Sequence, residues 1–129
     1  MRLLLDTHVW IWMLMAPERL GDARSVVEDP ATRVLLSSVS TWEISIKVSA
    51  GRLTLPGQID RYLPRQMDEK MVDRLAVDHR HALHLASLPP HHRDPFDRML
   101  IAQAQVEKLP IMTSDRAFDA YDCEVMRVG

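Results

Sequence analysis

The chain has a single cysteine, Cys123, in 129 residues. It cannot close an internal disulfide, which fits a reducing compartment. It also lacks any apolar run near the ~20 residues a membrane-spanning helix requires. Arg2 and the apolar stretch reaching Ala16 faintly resemble a secretory leader. Asp6 and His8 interrupt that stretch, and Val9 to Ala16 is short for a leader's hydrophobic region. A cytoplasmic protein without a membrane segment is the expectation. There is no excess of charge of either sign: 16 Lys and Arg stand against 18 Asp and Glu, a net of −2. Any nucleic acid must therefore be held by a local patch or through a bound cation. No repeat, linker or low-complexity segment divides the chain. Its length fits one domain, residues 1–129, and 47% hydrophobic content is enough for a core.

What is present is an alternation of strand and helix patterns. Arg2 to Leu5 reads as a short buried strand. Thr7 caps a helix from His8 to Met15, and Pro17 stops it. Asp22 caps a short helix through Val26 and Val27. Val34 to Ser37 is a second strand. A helix begins at Ser40, carries Trp42, Ile44, Ile46 and Val48, and stops at Gly51. Leu53 to Gly57 is a loop. Ile59 to Met71 is a helical pattern that Pro64 would kink or split. Leu75 to Val77 is a short strand, and Asp78 caps a helix through Ala86. The Pro- and His-rich loop from Leu88 to Asp94 leads to a helix opened by Pro95. Ile111 to Thr113 is a strand, Ala117 to Ala120 one helical turn, and Glu124 to Val128 a last strand. Such an order predicts a parallel sheet with helices on both faces.

Four acids fall where that fold would gather them. Asp6 ends the first strand, and Glu43 sits early in the helix after the second. Asp97 opens the helix before Ile111, and Asp115 follows Thr113 and Ser114. In an open α/β sheet these positions meet at the carboxyl ends of the strands. Carboxylates crowded there repel unless a cation neutralises them. An oxygen-only set favours Mg2+ or Mn2+ over zinc. One ion or a pair ~3.5–4 Å apart can polarise a phosphoryl oxygen and activate water. Each acid also has an ordinary reading. Ser40-x-x-Glu43 has the form of a capping box, Asp94 and Asp6 suit caps, and Asp115 suits a turn. It is their joint placement that argues for a site.

Leu-Leu-Asp6-Thr7-His8, Ser40-Thr41-Trp42-Glu43-Ile44, Asp94-Pro-Phe-Asp97-Arg98-Met and Thr113-Ser114-Asp115 together resemble a PIN domain, and the Asp-Pro-Phe-Asp-Arg piece is similar to one branch of VapC-type toxins. The resemblance runs along essentially the whole chain. It implies a three-layer α/β/α sandwich around a mainly parallel five-stranded sheet. It also implies Mg2+- or Mn2+-dependent endoribonuclease activity, a small cognate antitoxin and a homodimer. Asp6, Glu43, Asp97 and Asp115 match the family's acidic quartet, and Asp94 is an additional acid. Asp6 and Asp97 are the leading direct ligands.

Arg98, Arg116, Arg93 and Lys47 flank the acids and are candidate phosphate contacts, Arg98 and Arg116 foremost. Thr113 and Ser114 either bond water or phosphate at the site or cap a turn. His91 and His92 read as solvated loop residues without zinc spacing, and Trp10, Trp12 and Trp42 as core in preference to base-stacking platforms. An antitoxin segment would find apolar surface on the helix from His8 to Met15 and on the segment from Ile59 to Met71. Three other readings compete. A phosphatase would want a second Asp two residues after Asp6, where His8 stands, and a receiver domain would want an early acidic pair. A catalytically silent RNA- or protein-binding module would not need the full acid set.

Overall fold

The computed structural model describes residues 1–91 and 93–129. Its centre is a sheet of five parallel strands: β1 (Arg2–Leu5), β2 (Arg33–Ser37), β3 (Asp73–Leu75), β4 (Ile111–Thr113) and β5 (Val125–Arg127), in the order β3-β2-β1-β4-β5. Parallel neighbours need crossovers, and helices supply them. β1 pairs with β2 through Leu3↔Val34 and Leu4↔Leu35, and with β4 through Leu4↔Ile111 and Leu5↔Met112. The central strand is covered on both faces, which is why it reads as an unbroken apolar run.

The two-residue period of the strands divides the core. Leu3, Leu5, Val34, Leu36 and Met112 face one layer; Leu4, Leu35 and Ile111 face the other. The first layer contains α1 (Thr7–Met15), a 3-10 turn (Pro17–Leu20), α2 (Ala23–Glu28) and α4 (Ile59–Glu69), contributing Val9, Trp10, Leu20, Leu63 and Met67. The second contains α6 (Pro95–Glu107) and a 3-10 turn (Arg116–Ala120), contributing Leu100, Ile101, Ala102, Ala104 and Phe118. α3 (Ser38–Ser49) packs against both α1 and α6 and so bridges the layers at one end of the sheet. α5 (His79–His84) rests on α6, where His81 meets Glu107 at 2.7 Å and His84 meets Gln105 at 2.6 Å. Each fully buried leucine of β1 contributes roughly 1.5–3 kcal/mol.

Several helix starts differ from the sequence expectation. α1 begins at Thr7, with Asp6 in the N-cap position but making no capping bond. Thr7 does not cap, because its hydroxyl is spent on Ser40, 2.8 Å away. Asp22 has helical backbone angles and makes no side-chain cap. α3 starts at Ser38 rather than Ser40, because the Ser37 hydroxyl takes the capping role by accepting from the Val39 N–H at 3.0 Å. The capping box expected at Ser40 and Glu43 therefore does not form. β3 lies two residues before the expected Leu75–Val77, on the charged Asp73-Arg74-Leu75. At the sheet edge a strand can carry polar residues, so hydrophobicity pointed to the wrong segment. α4 runs through Pro64, with Leu63 and Met67 buried. Packing of that face outweighs the one hydrogen bond Pro64 removes. Asp78 and Asp94 cap α5 and α6 as expected. No helix among the described residues is long and apolar enough to cross a membrane.

Candidate active site at the carboxyl edge of the sheet

Strand order reverses between β1 and β4. From β1 the chain moves outward to β2 and β3, whereas β4 and β5 lie on the other side. Loops leaving the carboxyl ends of two such strands diverge and open a crevice between them. Asp6 follows β1 and Asp115 follows β4, so these acids stand on the two lips of that crevice. The ladder continues to its edge, with the Asp6 N–H donating to the Met112 carbonyl at 2.9 Å.

Asp6 is only 3% exposed. The Thr113 hydroxyl donates to its Oδ2 at 2.7 Å, and the same oxygen atom of Thr113 accepts from the Asp115 N–H at 3.0 Å. One threonine thus ties the two lips together. Burial raises the Asp6 pKa; the Thr113 hydrogen bond and the charge of nearby His8 act in the opposite sense. Asp115 is exposed and caps the following 3-10 turn, its Oδ1 accepting from the Ala117 N–H at 2.9 Å.

Glu43 enters from α3. It is nearly buried, and Lys47, one turn later, places Nζ 3.0 Å from its Oε2. Ser40, one turn earlier on the same helix, accepts the Thr7 hydroxyl and joins the first turns of α1 and α3. Asp94 and Asp97 enter from α6. The Asp94 Oδ1 accepts from the N–H groups of Phe96 at 2.9 Å and Asp97 at 3.2 Å, and Pro95 needs no partner there. This cap fixes Asp97 in the first helical turn, half-buried.

Asp97 reports the convergence. Burial pushes its carboxyl up to about 8, reinforced by the charges of Asp6, Asp94, Glu43 and Asp115. The other four sequence-selected acids thus all act on Asp97, and Glu43 acts on Asp6 as well. They do not stand as a closed cage: among the described residues, no three His, Cys, Asp or Glu side chains form a ready ligand set for one ion. The donor chemistry still suits a hard divalent cation, being all oxygen, charge-dense and mutually repulsive.

The flanking cations differ in use. The Arg98 guanidinium donates to the Pro89 carbonyl at 2.8 Å and the Tyr121 hydroxyl at 3.2 Å, bracing the loop before α6. Lys47 holds Glu43. Arg93 and Arg116 are exposed, Arg116 directly after Asp115, and Ser114 is half-buried. His91 is exposed and meets the Tyr121 ring edge-on, centroids 5.0 Å apart; His92 lies outside the described residues. Sequence reading overlooked the Thr7–Ser40 bond, though Ser40, Glu43 and Lys47 share one helical face at a spacing of three and four. It also took Trp42 for core, whereas the residue is 59% exposed.

A family profile described as PIN domain matches residues 3–123. Ribonuclease VapC16 of Mycobacterium tuberculosis is 34% identical over 70 residues, which make up 54% of this chain and 50% of that protein. The alignment thus spans about half the length of that curated relative. The crystal structure of VapBC2 from Rickettsia felis bound to a DNA fragment from its promoter superposes with a TM-score of 0.76 over 100% of both chains, at 13% identity. The structure of VapBC-5, a member of the VapBC family of toxin-antitoxin systems from Mycobacterium tuberculosis, gives 0.63 at 25% identity, covering 98% of each chain.

Proposed function

The chain belongs to the PIN domain family, and from that premise we propose that it is a metal-dependent endoribonuclease, the toxin of a toxin–antitoxin pair. The observation that carries this reading is the convergence of five carboxylates at the switch point of a parallel sheet, felt most strongly at Asp97. Asp6 and Asp97 would hold Mg2+ or Mn2+ directly. Glu43 and Asp115 would act through water or orient the attacking water, with Asp94 supporting from the cap of α6. A bound cation of this kind polarises a phosphoryl oxygen and lowers the pKa of water. The chain's own contribution is to place the acids. Thr113 fixes Asp6 and the backbone of Asp115 together, and burial of Asp6 keeps bulk water from screening its charge. Single-stranded or looped RNA is the substrate class, because its bases are accessible.

The partner is a small antitoxin. A groove of about 480 Å³, lined by Met13, Leu20, Val27, Val34 and Met71, runs between α1, α2 and the end of α4. Its apolar residues suit the apolar face of a docked helix, and Glu28, Arg33, Glu69 and Asp73 along the same groove suit that helix's polar flanks. Trp10 is fully buried and takes no part. We place the protein in the cytoplasm, as a homodimer. Expression alone should arrest growth, and co-expression of the small protein encoded beside it should reverse the arrest through a copurifying complex. RNA cleavage should require Mn2+ or Mg2+ and stop in EDTA, with a phosphomonoester left intact. Undiminished cleavage in excess chelator would rule out the metal mechanism; rescue without a complex would rule out the antitoxin.

A further inference from the structure

Trp42 behaves unlike the other tryptophans. Trp10 is fully buried, and Trp12 is half-buried with the Arg19 guanidinium 4.5 Å from its ring centroid, while Trp42 leaves 59% of its surface in water. Leaving so large an apolar group uncovered forfeits the burial that usually places tryptophan. Its location is specific. Trp42 directly precedes Glu43 on α3, and its ring meets that of Phe96, centroids 5.0 Å apart at 71°. Phe96 directly precedes Asp97. Each aromatic is thus the chain neighbour of one of the converging acids. Trp42 also lines a mostly apolar pocket of about 380 Å³ with Leu36, Thr41, Met67 and Leu75. The edge contact with Phe96 holds the indole in place without covering it.

We propose that Trp42, braced by Phe96, is a stacking platform for one nucleobase of the RNA, beside the phosphate engaged at the acids. The inference rests on the ribonuclease reading above. Stacking suits this chain because its net charge of −2 provides little general attraction for a polyanion. An aromatic face accepts any base, so the platform fixes position along the strand more than sequence.

The test uses a short single-stranded RNA spanning a mapped cleavage position, with abasic sites introduced one nucleotide at a time. One abasic position should cost the wild-type protein about tenfold or more in kcat/KM with Mn2+. Trp42→Ala should show a similar loss on intact RNA and no further loss at that abasic position, and Trp42→Tyr should restore most of the activity. In EDTA, oligonucleotide binding should quench tryptophan emission in the wild type and not in Trp42→Tyr. Wild-type indifference to every abasic position overturns the proposal, with no need for a folded Ala variant. So does a Trp42→Ala loss that is equal on intact and abasic RNA, or one that follows dissociation of a dimer with base dependence unchanged. If the wild type cleaves no RNA with either cation, the ribonuclease reading falls separately. The quenching measurement then decides alone: a quench lost in Trp42→Tyr supports stacking, and no quench refutes it.

Discussion

The two ends of the sheet offer opposite kinds of surface. At the amino ends of β2 and β3 lies a groove of about 480 Å³, bordered by the Arg33–Asp73 ion pair and by Met71, which is 85% exposed. None of the five converging acids lines it. At the carboxyl ends the acids converge, and burial with the charges of its neighbours moves Asp97 far from its ordinary range. Perturbed titration and convergent charge choose the carboxyl end, and they are the better guide to chemistry. The groove is the better guide to a protein partner.

Asp6→Asn tests that division most severely. Cleavage should fall at least ~100-fold, the scale of lost transition-state charge stabilisation. Asn keeps an acceptor for the Thr113 hydroxyl, so the melting temperature in EDTA should stay level or rise as repulsion is relieved. A folded Asp6→Asn protein with full activity would move the chemistry elsewhere. Met71→Glu probes the opposite end. It should weaken the antitoxin complex about tenfold, a loss of ~1.4 kcal/mol, and leave RNA cleavage unchanged. Equal affinity for both proteins would remove the groove from the interface.

Titration sharpens the same contrast. Asp97 has its folded pKa raised to about 8, against roughly 3.9 in an unfolded chain. Between these values the folded protein binds the extra proton, so stability in EDTA should fall as pH rises from about 4 to about 8, by up to roughly 5 kcal/mol. Asp97→Asn should flatten that slope, and melts at pH 5, 7 and 9 would read it; an identical slope in the variant would show that other groups dominate.

The arginines give the smallest effects. Arg98→Ala should cost about 1 kcal/mol of stability through its lost bonds to Pro89 and Tyr121. Arg116→Ala should leave stability within roughly 0.5 kcal/mol and flatten the salt dependence of RNA binding by ~0.7 if it contacts a phosphate. A salt slope unchanged in Arg116→Ala would leave it without a phosphate role.

The central strands and the acids were legible because their signals are local and strong. Leu3-Leu4-Leu5 is a buried strand on any template, and Asp6 marks its end. Asp94-Pro95 is a cap and first helical turn that the structure reproduces. Less legible was whatever depends on a distant partner. β3 is charged because it lies at the edge, and Thr7 gave up capping because Ser40 lies across from it. Trp42 read as core because tryptophan usually is; only the packing of α3 against α6 reveals it at the surface. Arg98 and Arg116 look equivalent beside the acids, and only the loop carbonyls over Arg98 separate them.

The clasp between Thr113 and Asp6 joins residues 107 positions apart in sequence. A site spanning that separation has a high contact order, and its closure must await the far end of the intervening chain. During synthesis Asp6 and Glu43 leave the ribosome well before β4 exists to set the second lip. A nascent or truncated chain lacking β4 would therefore display Asp6 and Glu43 without the second lip, and under the proposed function activity would arrive only with the folded domain.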